Sequence, residues 1–204
     1  MRAISLAFAL ALLTTCGAPA LASTIDFGDL VAGSSFTTYA NSGFTVSPTS
    51  GSWMVNDYGA PSLSIVFSRA AVQPTTTGQI QITAGGSPFT FSSVDLYSSI
   101  TPIPYEFTGL LGGSIVFTEA GTVPNTFGTF MTVHVAPVGS IDTLLITLSN
   151  PATPCCSNPV GLDNVVVNAL PPTLPIPTLS EWGVGILMAF LVSVGLWSVR
   201  RSSA

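Results

Sequence analysis

Residues 89–97 read Phe-Thr-Phe-Ser-Ser-Val-Asp-Leu-Tyr, an apolar and partly alternating run that follows the turn sequence Ala84-Gly85-Gly86-Ser87-Pro88. Such a run predicts a β-strand with one buried face, because successive strand side chains point to opposite faces. Eight more runs of this kind, each bounded by Gly, Pro, Asn or Ser, lie at residues 24–27, 44–47, 62–67, 79–83, 114–118, 127–136, 143–148 and 162–168. Short strands with turn signals between them, and no helical pattern, predict an all-β sandwich.

These strands fall in one domain, residues 23–170, a size at which a single core suffices. Eight acidic residues and one basic residue, Arg69, give this domain a net charge of −7, and the chain has no lysine. A surface of that charge repels phosphate backbones and offers no basic patch for counterion release. The composition therefore excludes nucleic acid as a partner.

Residues 1–22 are predicted to be a signal peptide. Met1-Arg2 is a basic start, residues 3–13 form an apolar core, and Ala20-Leu21-Ala22 offers the small residues that a signal peptidase needs. We expect cleavage after Ala22. An alternative, a lipoprotein signal ending at Cys16, stays open, although the preceding threonine fits that signal poorly.

At the other end, residues 182–199 carry no charge and precede Arg200 and Arg201. As a helix this segment covers about 27 Å, close to the thickness of a bilayer's hydrocarbon core. Basic residues that flank a span mark its cytoplasmic end. The sequence therefore predicts a transmembrane helix at 182–199, a membrane stop at the two arginines, a cytoplasmic tail at 200–204 and a domain outside the cytoplasm.

A short motif lies directly before this segment. The string IPTLSEWG at residues 176–183, followed by the apolar segment and Arg-Arg, resembles the IPTL-CTERM sorting signal of exported bacterial proteins. The resemblance rests on Ile176, Pro177, Thr178, Leu179, Glu181, Trp182 and Gly183. It implies an exosortase-type membrane protease that recognises the motif, cleaves near it and releases the domain to the cell surface or extracellular matrix. The alternative is a plain membrane anchor behind a Pro-rich stalk at 171–181.

A second resemblance is looser. The domain opens with Ile25-Asp26-Phe27, closes with the segment 161–167 (Gly-Leu-Asp-Asn-Val-Val-Val), and in both respects resembles jelly-roll ectodomains of the galactose-binding-like kind. It implies a jelly-roll-like sandwich and leaves the strand order open.

No catalytic constellation is evident. The single histidine, His134, lies in the alternating run 129–135, on the face opposite Met131, Val133 and Val135, so we interpret it as a surface residue of a sheet. No serine lies in a nucleophile elbow, and no local motif pairs two carboxylates. We therefore expect a noncatalytic domain and not an enzyme.

Asp163 and Asn164 suggest a metal site. Asp163 is in register with Val165 and Val167, and a carboxylate that enters an apolar layer needs a partner or a cation. If the first and last strands pair, Asp26 or Asp29 approaches Asp163 and Asn164, and oxygen-rich clusters of that kind suit a structural Ca²⁺. The alternative is a turn capped by local side-chain to backbone bonds, without an ion.

After removal of the signal peptide two adjacent cysteines remain, Cys155 and Cys156. Outside the cytoplasm we expect them to be oxidised. A bond between them is our first hypothesis, although adjacent Cα atoms lie closer together than in ordinary disulfides. A bridge to another chain and a free thiol stay open.

Trp53, Asp57 and Tyr58 lie in the stretch that is richest in aromatic and amide side chains, and they are candidate glycan contacts. The alternative for Trp53 is core packing. Two hypotheses therefore stand for the domain. It is a noncatalytic exported surface or matrix protein, or it is a carbohydrate-binding module, calcium-dependent if the site at Asp163 holds, for a cell-surface or matrix polysaccharide.

Overall fold

The computed structural model describes residues 22–57, 63–69, 74–136, 139–153, 156–170 and 181–202. The chain divides into two compact units, Met1–Pro171 and Pro172–Ala204. Several predictions fall outside the described residues: the signal peptide up to residue 21, Tyr58, Cys155, the stalk at 171–180 and the motif residues Ile176, Pro177, Thr178 and Leu179.

The described part of the first unit contains strands and no helix, which confirms the all-β prediction. Its strands are β1 (Ala22–Ile25), β2 (Ser35–Phe36), β3 (Tyr39–Asn41), β4 (Phe44–Ser50), β5 (Trp53–Asn56), β6 (Ser64–Arg69), β7 (Thr76–Thr83), β8 (Phe89–Ser98), β9 (Ile103–Leu111), β10 (Ser114–Val123), β11 (Met131–His134), β12 (Thr143–Asn150) and β13 (Asn158–Ala169).

The strands form two antiparallel sheets. Sheet A has the order β11-β8-β13-β6-β5-β2, and β1 also pairs with β13. Sheet B has the order β10-β9-β12-β7-β4-β3. Strands that are neighbours in a sheet are often far apart in the sequence; β12, for example, lies between β9 and β7. This order could not be read from the sequence.

The core lies between the sheets and is built by alternation along each strand. On β7 and β12 the side chains of Ile80, Ile82, Leu144 and Ile146 are fully buried, and the residues between them are not. Aromatic rings fill the centre: Phe91 packs edge-on against Phe107 with ring centroids 5.3 Å apart. The buried apolar face of each strand is what holds the two sheets together.

Four strands were missed by the sequence pattern: β2, β3, β5 and β9. Strands β2 and β3 have two and three residues, too short to show alternation. Strand β9 contains Pro104, which argues against a central strand. Pro104 lies beyond the last β9–β12 pair, Tyr105↔Leu148, and is paired only with Thr122 of β10, so its missing N–H breaks no bond to β12.

The predicted strand at 127–136 was too long. Strand β11 covers only Met131–His134, because residues 126–129 form a turn in which the Thr129 N–H donates to the Thr126 carbonyl over 2.7 Å. Gly128 has a φ of 77° in that turn. Met131, expected in the core, is exposed, whereas Val133 and Val135 are buried.

The first and last strands of the sandwich pair, as the metal hypothesis required. In the β1–β13 ladder Ser23 lies opposite Val167 and Ile25 opposite Val165. Strand β6 pairs with β13 at residues 158–162. The partner on that side of β13 therefore changes from β6 to β1 at Asp163 and Asn164.

The second unit contains helix α1 (Glu181–Ser202). The helix begins at Glu181, one residue earlier than predicted, and Arg200 and Arg201 lie in its last turn, where positive charge favours the helix dipole. The Arg201 guanidinium lies 4.3 Å from the centroid of the Trp197 ring, one turn away. Among the residues that the structure describes, no helix combines the length and the hydropathy of a membrane-crossing segment.

Candidate functional site

The best-defined polar cluster in the sandwich is the carboxylate pair of Asp95 and Asp163. These residues are direct partners in the β8–β13 ladder. The Asn164 backbone N–H donates to Asp163 Oδ1 over 2.8 Å, and its side-chain Nδ2 donates to Asp95 Oδ2 over 2.9 Å. Thr132 on β11 donates its hydroxyl to Asp95 Oδ1. We call Asp95, Asp163, Asn164 and Thr132 the carboxylate cluster.

The cluster lies at a bulge. The β8–β13 register shifts after Asp163, and Asn164 has a φ of 46°, in the left-handed region that asparagine tolerates better than most residues. The bulge explains how both Leu162 and Val165 reach the core, although residues three positions apart point to opposite faces of a regular strand. Asp163 itself is 1% exposed.

The pKa of Asp163 is raised to about 7: burial is the largest cause, the charges of Asp95 and Asp26 add to it, and the backbone N–H groups of Asn164 and Phe27 oppose it by favouring the ionised form. The Phe27 amide belongs to the segment that follows β1. Asp163 therefore joins the end of β1 to the bulge in β13 by hydrogen bonds.

The three predicted calcium ligands lie in different surroundings. Asp26 is exposed and accepts the Gly28 N–H at 3.3 Å, whereas Asp163 is buried and Asn164 bonds to Asp95. Within the described ranges no group of three or more His, Cys, Asp or Glu side chains is arranged to hold a metal ion. Asp95 was not singled out in the sequence, since only the pairing of β8 with β13 brings it opposite Asp163.

Trp53 is a core residue. Its side chain is 4% exposed, its ring lies 4.9 Å from that of Phe67, and its indole N–H donates to the Ser50 carbonyl over 2.8 Å. Its ring is therefore not available as a stacking surface for a sugar. Asp57 is exposed, and its backbone N–H donates to Asn56 Oδ1.

Trp53 lines a groove of about 400 Å³ with Ser35, Phe36, Thr37, Pro48, Gly51 and Ser52. Both aromatic rings in this groove are almost fully buried.

Cys156 is exposed and has a φ of 68°, and its carbonyl accepts the Thr153 hydroxyl at 3.3 Å. A buried amide network lies at the start of β13. Asn158 is fully buried; its Nδ2 donates to Asn150 Oδ1 and to Thr101 Oγ1, and its Oδ1 accepts the Ile100 N–H. This network joins the start of β13 to the end of β12 and to the segment that follows β8.

The outer face of sheet B, the side away from the core, carries rows of hydroxyl and amide groups. One row crosses four strands in register: Gln79 on β7, Thr147 on β12, Glu106 on β9 and Ala120 on β10. Gln79 Nε2 donates to Thr147 Oγ1 over 2.8 Å, and Thr49 Oγ1 donates to Gln79 Oε1 over 2.6 Å. Hydrogen bonds between neighbouring side chains therefore hold Gln79 and Thr147 in place.

A groove of about 230 Å³ lies at the Glu106 end of the row, lined by Pro104, Tyr105, Glu106, Ala120, Thr147 and Ser149. The Tyr105 ring stacks on Phe107 with centroids 4.6 Å apart. Burial, and then the charge of Glu119, raise the pKa of Tyr105, so its phenol keeps its proton and can donate a hydrogen bond. We call this set of six residues the sheet B groove.

Comparison with known proteins gives one family match. Residues 175–201 match the model of the IPTL-CTERM motif. No curated protein matches the chain.

The chain is also similar to several solved structures, at low sequence identity and with TM-scores below 0.5. A family 29 carbohydrate binding module from Piromyces equi is 13% identical, with a TM-score of 0.46 over 74% of this chain and 92% of that one. The family 32 module of C. perfringens NanJ, in complex with galactose, is 13% identical, with a TM-score of 0.40 over 62% and 98%. The enzymatically active domain of tailspike protein 4 of bacteriophage CBA120 is 15% identical, with a TM-score of 0.42 over 63% and 20%.

The motif predicted from Ile176 to Gly183 and its basic flank is confirmed by the family model, and Glu181, Trp182 and Gly183 are the first residues of α1. This chain carries an IPTL-CTERM motif at residues 175–201, which follows in the sequence an all-β sandwich of two antiparallel sheets.

Proposed function

We propose that this protein is exported, is held at the membrane by its C-terminal segment and is passed to the cell surface or extracellular matrix by an exosortase-type protease. The observation that carries the proposal is the IPTL-CTERM motif at residues 175–201. The sandwich is the cargo that this motif sorts.

The composition of α1 supports a role at the membrane. Several of its large apolar side chains are exposed, among them Ile186, Met188, Phe190, Leu191 and Trp197. Such side chains favour an apolar environment, and two arginines at the end of the helix suit the headgroups. Cleavage of a signal peptide after Ala22 would leave Ser23 as the first residue, within β1 and opposite Val167.

We infer that the sandwich is noncatalytic. His134, the single histidine of the chain, is exposed on β11 and is paired with Ser93 in the ladder. Asp163 of the carboxylate cluster has the most perturbed pKa among the described carboxyl groups. Its side chain is closed to solvent and accepts hydrogen bonds from backbone N–H groups. A buried acid of this kind acts on the fold and not on a substrate.

The test is the intact mass of the protein recovered from its native envelope. We expect a C-terminus between Thr178 and Gly183, so that Arg200 and Arg201 are absent from the mature protein. A Pro177→Ala variant should retain the tail, because Pro177 belongs to the motif that the protease is proposed to recognise. Thr173→Ala, upstream of the motif, is the matched control and should be processed normally.

Recovery of the wild-type protein with both arginines, from cells that contain an exosortase-type protease, would reduce the tail to a plain anchor. Processing that is equal in the Pro177→Ala variant and in the wild type would show that the motif is not what the protease reads.

A second candidate function is binding of a surface or matrix carbohydrate by the sandwich. The outer face of sheet B favours it, since its hydroxyl and amide groups are held in rows by hydrogen bonds between Thr49, Gln79 and Thr147. Pre-positioned polar groups bind a polyhydroxylated ligand with less loss of side-chain entropy. Whether calcium contributes is tested by repeating any binding measurement with a chelator.

A further inference from the structure

We propose that the sheet B groove is the carbohydrate contact site of this protein and that its ligand is an uncharged polysaccharide. This inference rests on the second candidate function above, and it moves the site from the Trp53 region to the opposite sheet. The groove brings together residues of β9, β10 and β12 that are far apart in sequence.

The first argument is the set of hydrogen-bonding groups. Glu106 offers an exposed carboxylate, and Thr147 and Ser149 offer hydroxyls. Carboxylates accept and hydroxyls both donate and accept, so together they match the alternating donors and acceptors of a sugar ring. Pro104 and Ala120 supply the apolar part of the lining, against which C–H groups of a sugar ring can pack.

The second argument is charge. The strands of sheet B contain no lysine, arginine or histidine, and their two charged residues are Glu106 and Glu119. Glu119 lies near Tyr105 and contributes to the rise of its pKa. Glu119 pairs with the core residue Phe107, whereas Glu106 is exposed on the outer face, so an anionic polymer in the groove would meet the Glu106 carboxylate and no cation of these strands, which makes its binding unfavourable.

The third argument is rigidity. Gln79 donates a hydrogen bond to the Thr147 hydroxyl over 2.8 Å, and Thr49 in turn donates to Gln79. The Thr147 hydroxyl of the groove is thus held before a ligand arrives. At about 230 Å³ the groove is smaller than a drug-sized pocket, which suits one unit of a polymer lying across an open face.

The experiment is affinity electrophoresis of the full chain, purified in mild detergent, through native gels that contain a neutral galactomannan, a neutral β-glucan or anionic alginate. We expect retardation by a neutral polymer and none by alginate. The variant Thr147→Val/Ser149→Ala, which removes both hydroxyls, should bind about tenfold more weakly or worse. Glu106→Gln, at an exposed position, should also weaken binding and provides a second variant if the first fails to fold.

Thr24→Val removes an exposed hydroxyl from β1 of sheet A and is the matched control, which should bind as the wild type does. Equal thermal midpoints would exclude loss of the fold as the cause of weaker binding.

If a neutral polymer retards the groove variants as strongly as the wild type, the groove assignment is overturned, whereas carbohydrate binding by the protein is retained. If neither neutral polymer retards the wild-type protein, both the groove assignment and the proposal of carbohydrate binding are overturned. Preference for alginate would overturn the ligand class. The export proposal depends on the mass of the mature C-terminus and is unaffected by any of these results.

Discussion

Asp95 and Asp163 lie directly opposite each other on β8 and β13, and Asn164 donates one hydrogen bond to each of their carboxyl groups. The pair is asymmetric. Asp163 is closed to solvent, whereas Asp95 is partly exposed and bonds to the Thr132 hydroxyl. Two like charges in a ladder position destabilise a sheet unless one of them takes up a proton, and burial makes Asp163 the group that does so.

Asp163 makes the stability of the sandwich depend on pH. Its pKa rises from 3.8 to about 7 on folding, so the folded state binds a proton that the unfolded state has lost. The stabilisation that this bound proton gives the folded state is full below pH 4 and is lost as the pH rises through 7. Asp163→Asn, which resembles the protonated acid, should match the wild type near pH 4 and exceed its free energy of unfolding at pH 8 by at most about 4 kcal/mol.

The measurement is urea unfolding of both proteins at several pH values between 4 and 8. Asp57→Asn, at an exposed position, is the control and should leave the pH dependence unchanged. A constant difference between Asp163→Asn and the wild type over this range would contradict the pKa assignment.

Asn164 combines a side-chain bridge with a left-handed backbone, and two variants separate these contributions. Asn164→Gly keeps the φ of 46° accessible and loses the bond to Asp95, whereas Asn164→Ala loses both. We expect the alanine variant to unfold at a lower urea concentration than the glycine variant, by about 1 kcal/mol in free energy of unfolding. Equal midpoints would mean that the left-handed backbone costs nothing at this bulge.

Gly161 is required because β13 passes close to β6 at this position. A Cβ there would lie 2.3 Å from the Ile65 carbonyl oxygen and 2.4 Å from Val66 Cγ1, and the first of these atoms is backbone. Gly161→Ala should lower the free energy of unfolding by about 3 kcal/mol or more, as overpacking does. Gly139→Ala, where the added Cβ would meet Val116 at an ordinary 3.5 Å, is the matched control. Thermal unfolding that is equal for both variants would show that the strands separate at little cost.

Asn158 is the centre of the buried amide network, and its loss should be costly. Asn158→Ala leaves the amide of Asn150 and the Ile100 N–H short of partners in a buried region, so we expect a loss of about 3 kcal/mol in the free energy of unfolding. Asn125→Ala, which removes two bonds at an exposed position, should cost about 1 kcal/mol or less. A smaller loss at Asn158 than at Asn125 would argue that water replaces the buried amide.

The local sequence pattern predicted a strand correctly where the strand is long and buries only one of its faces. The runs at 79–83 and 143–148 lie within β7 and β12, because alternation reports burial of one face. The pattern was insufficient at β9, where Pro104 and Gly109 interrupt the apolar residues, and at residues 127–130, where a turn carries an exposed Phe127. Trp53 shows that the same limit applies to functional sites. The sequence does not distinguish an aromatic residue that packs in the core from one that contacts a ligand.

The sequence by itself determined the all-β class, the acidic and lysine-free character of the chain and the IPTL-CTERM motif, since each depends on composition, on a period of two or on residues that are contiguous. Only the tertiary structure decided that Asp95 meets Asp163 and that Glu106 and Thr147 line one groove. These residues lie 68 and 41 positions apart in the sequence and belong to strands whose order no local pattern encodes. Sheet order follows from how the apolar faces of all strands pack together, so sites built across strands appear only once the sandwich is assembled.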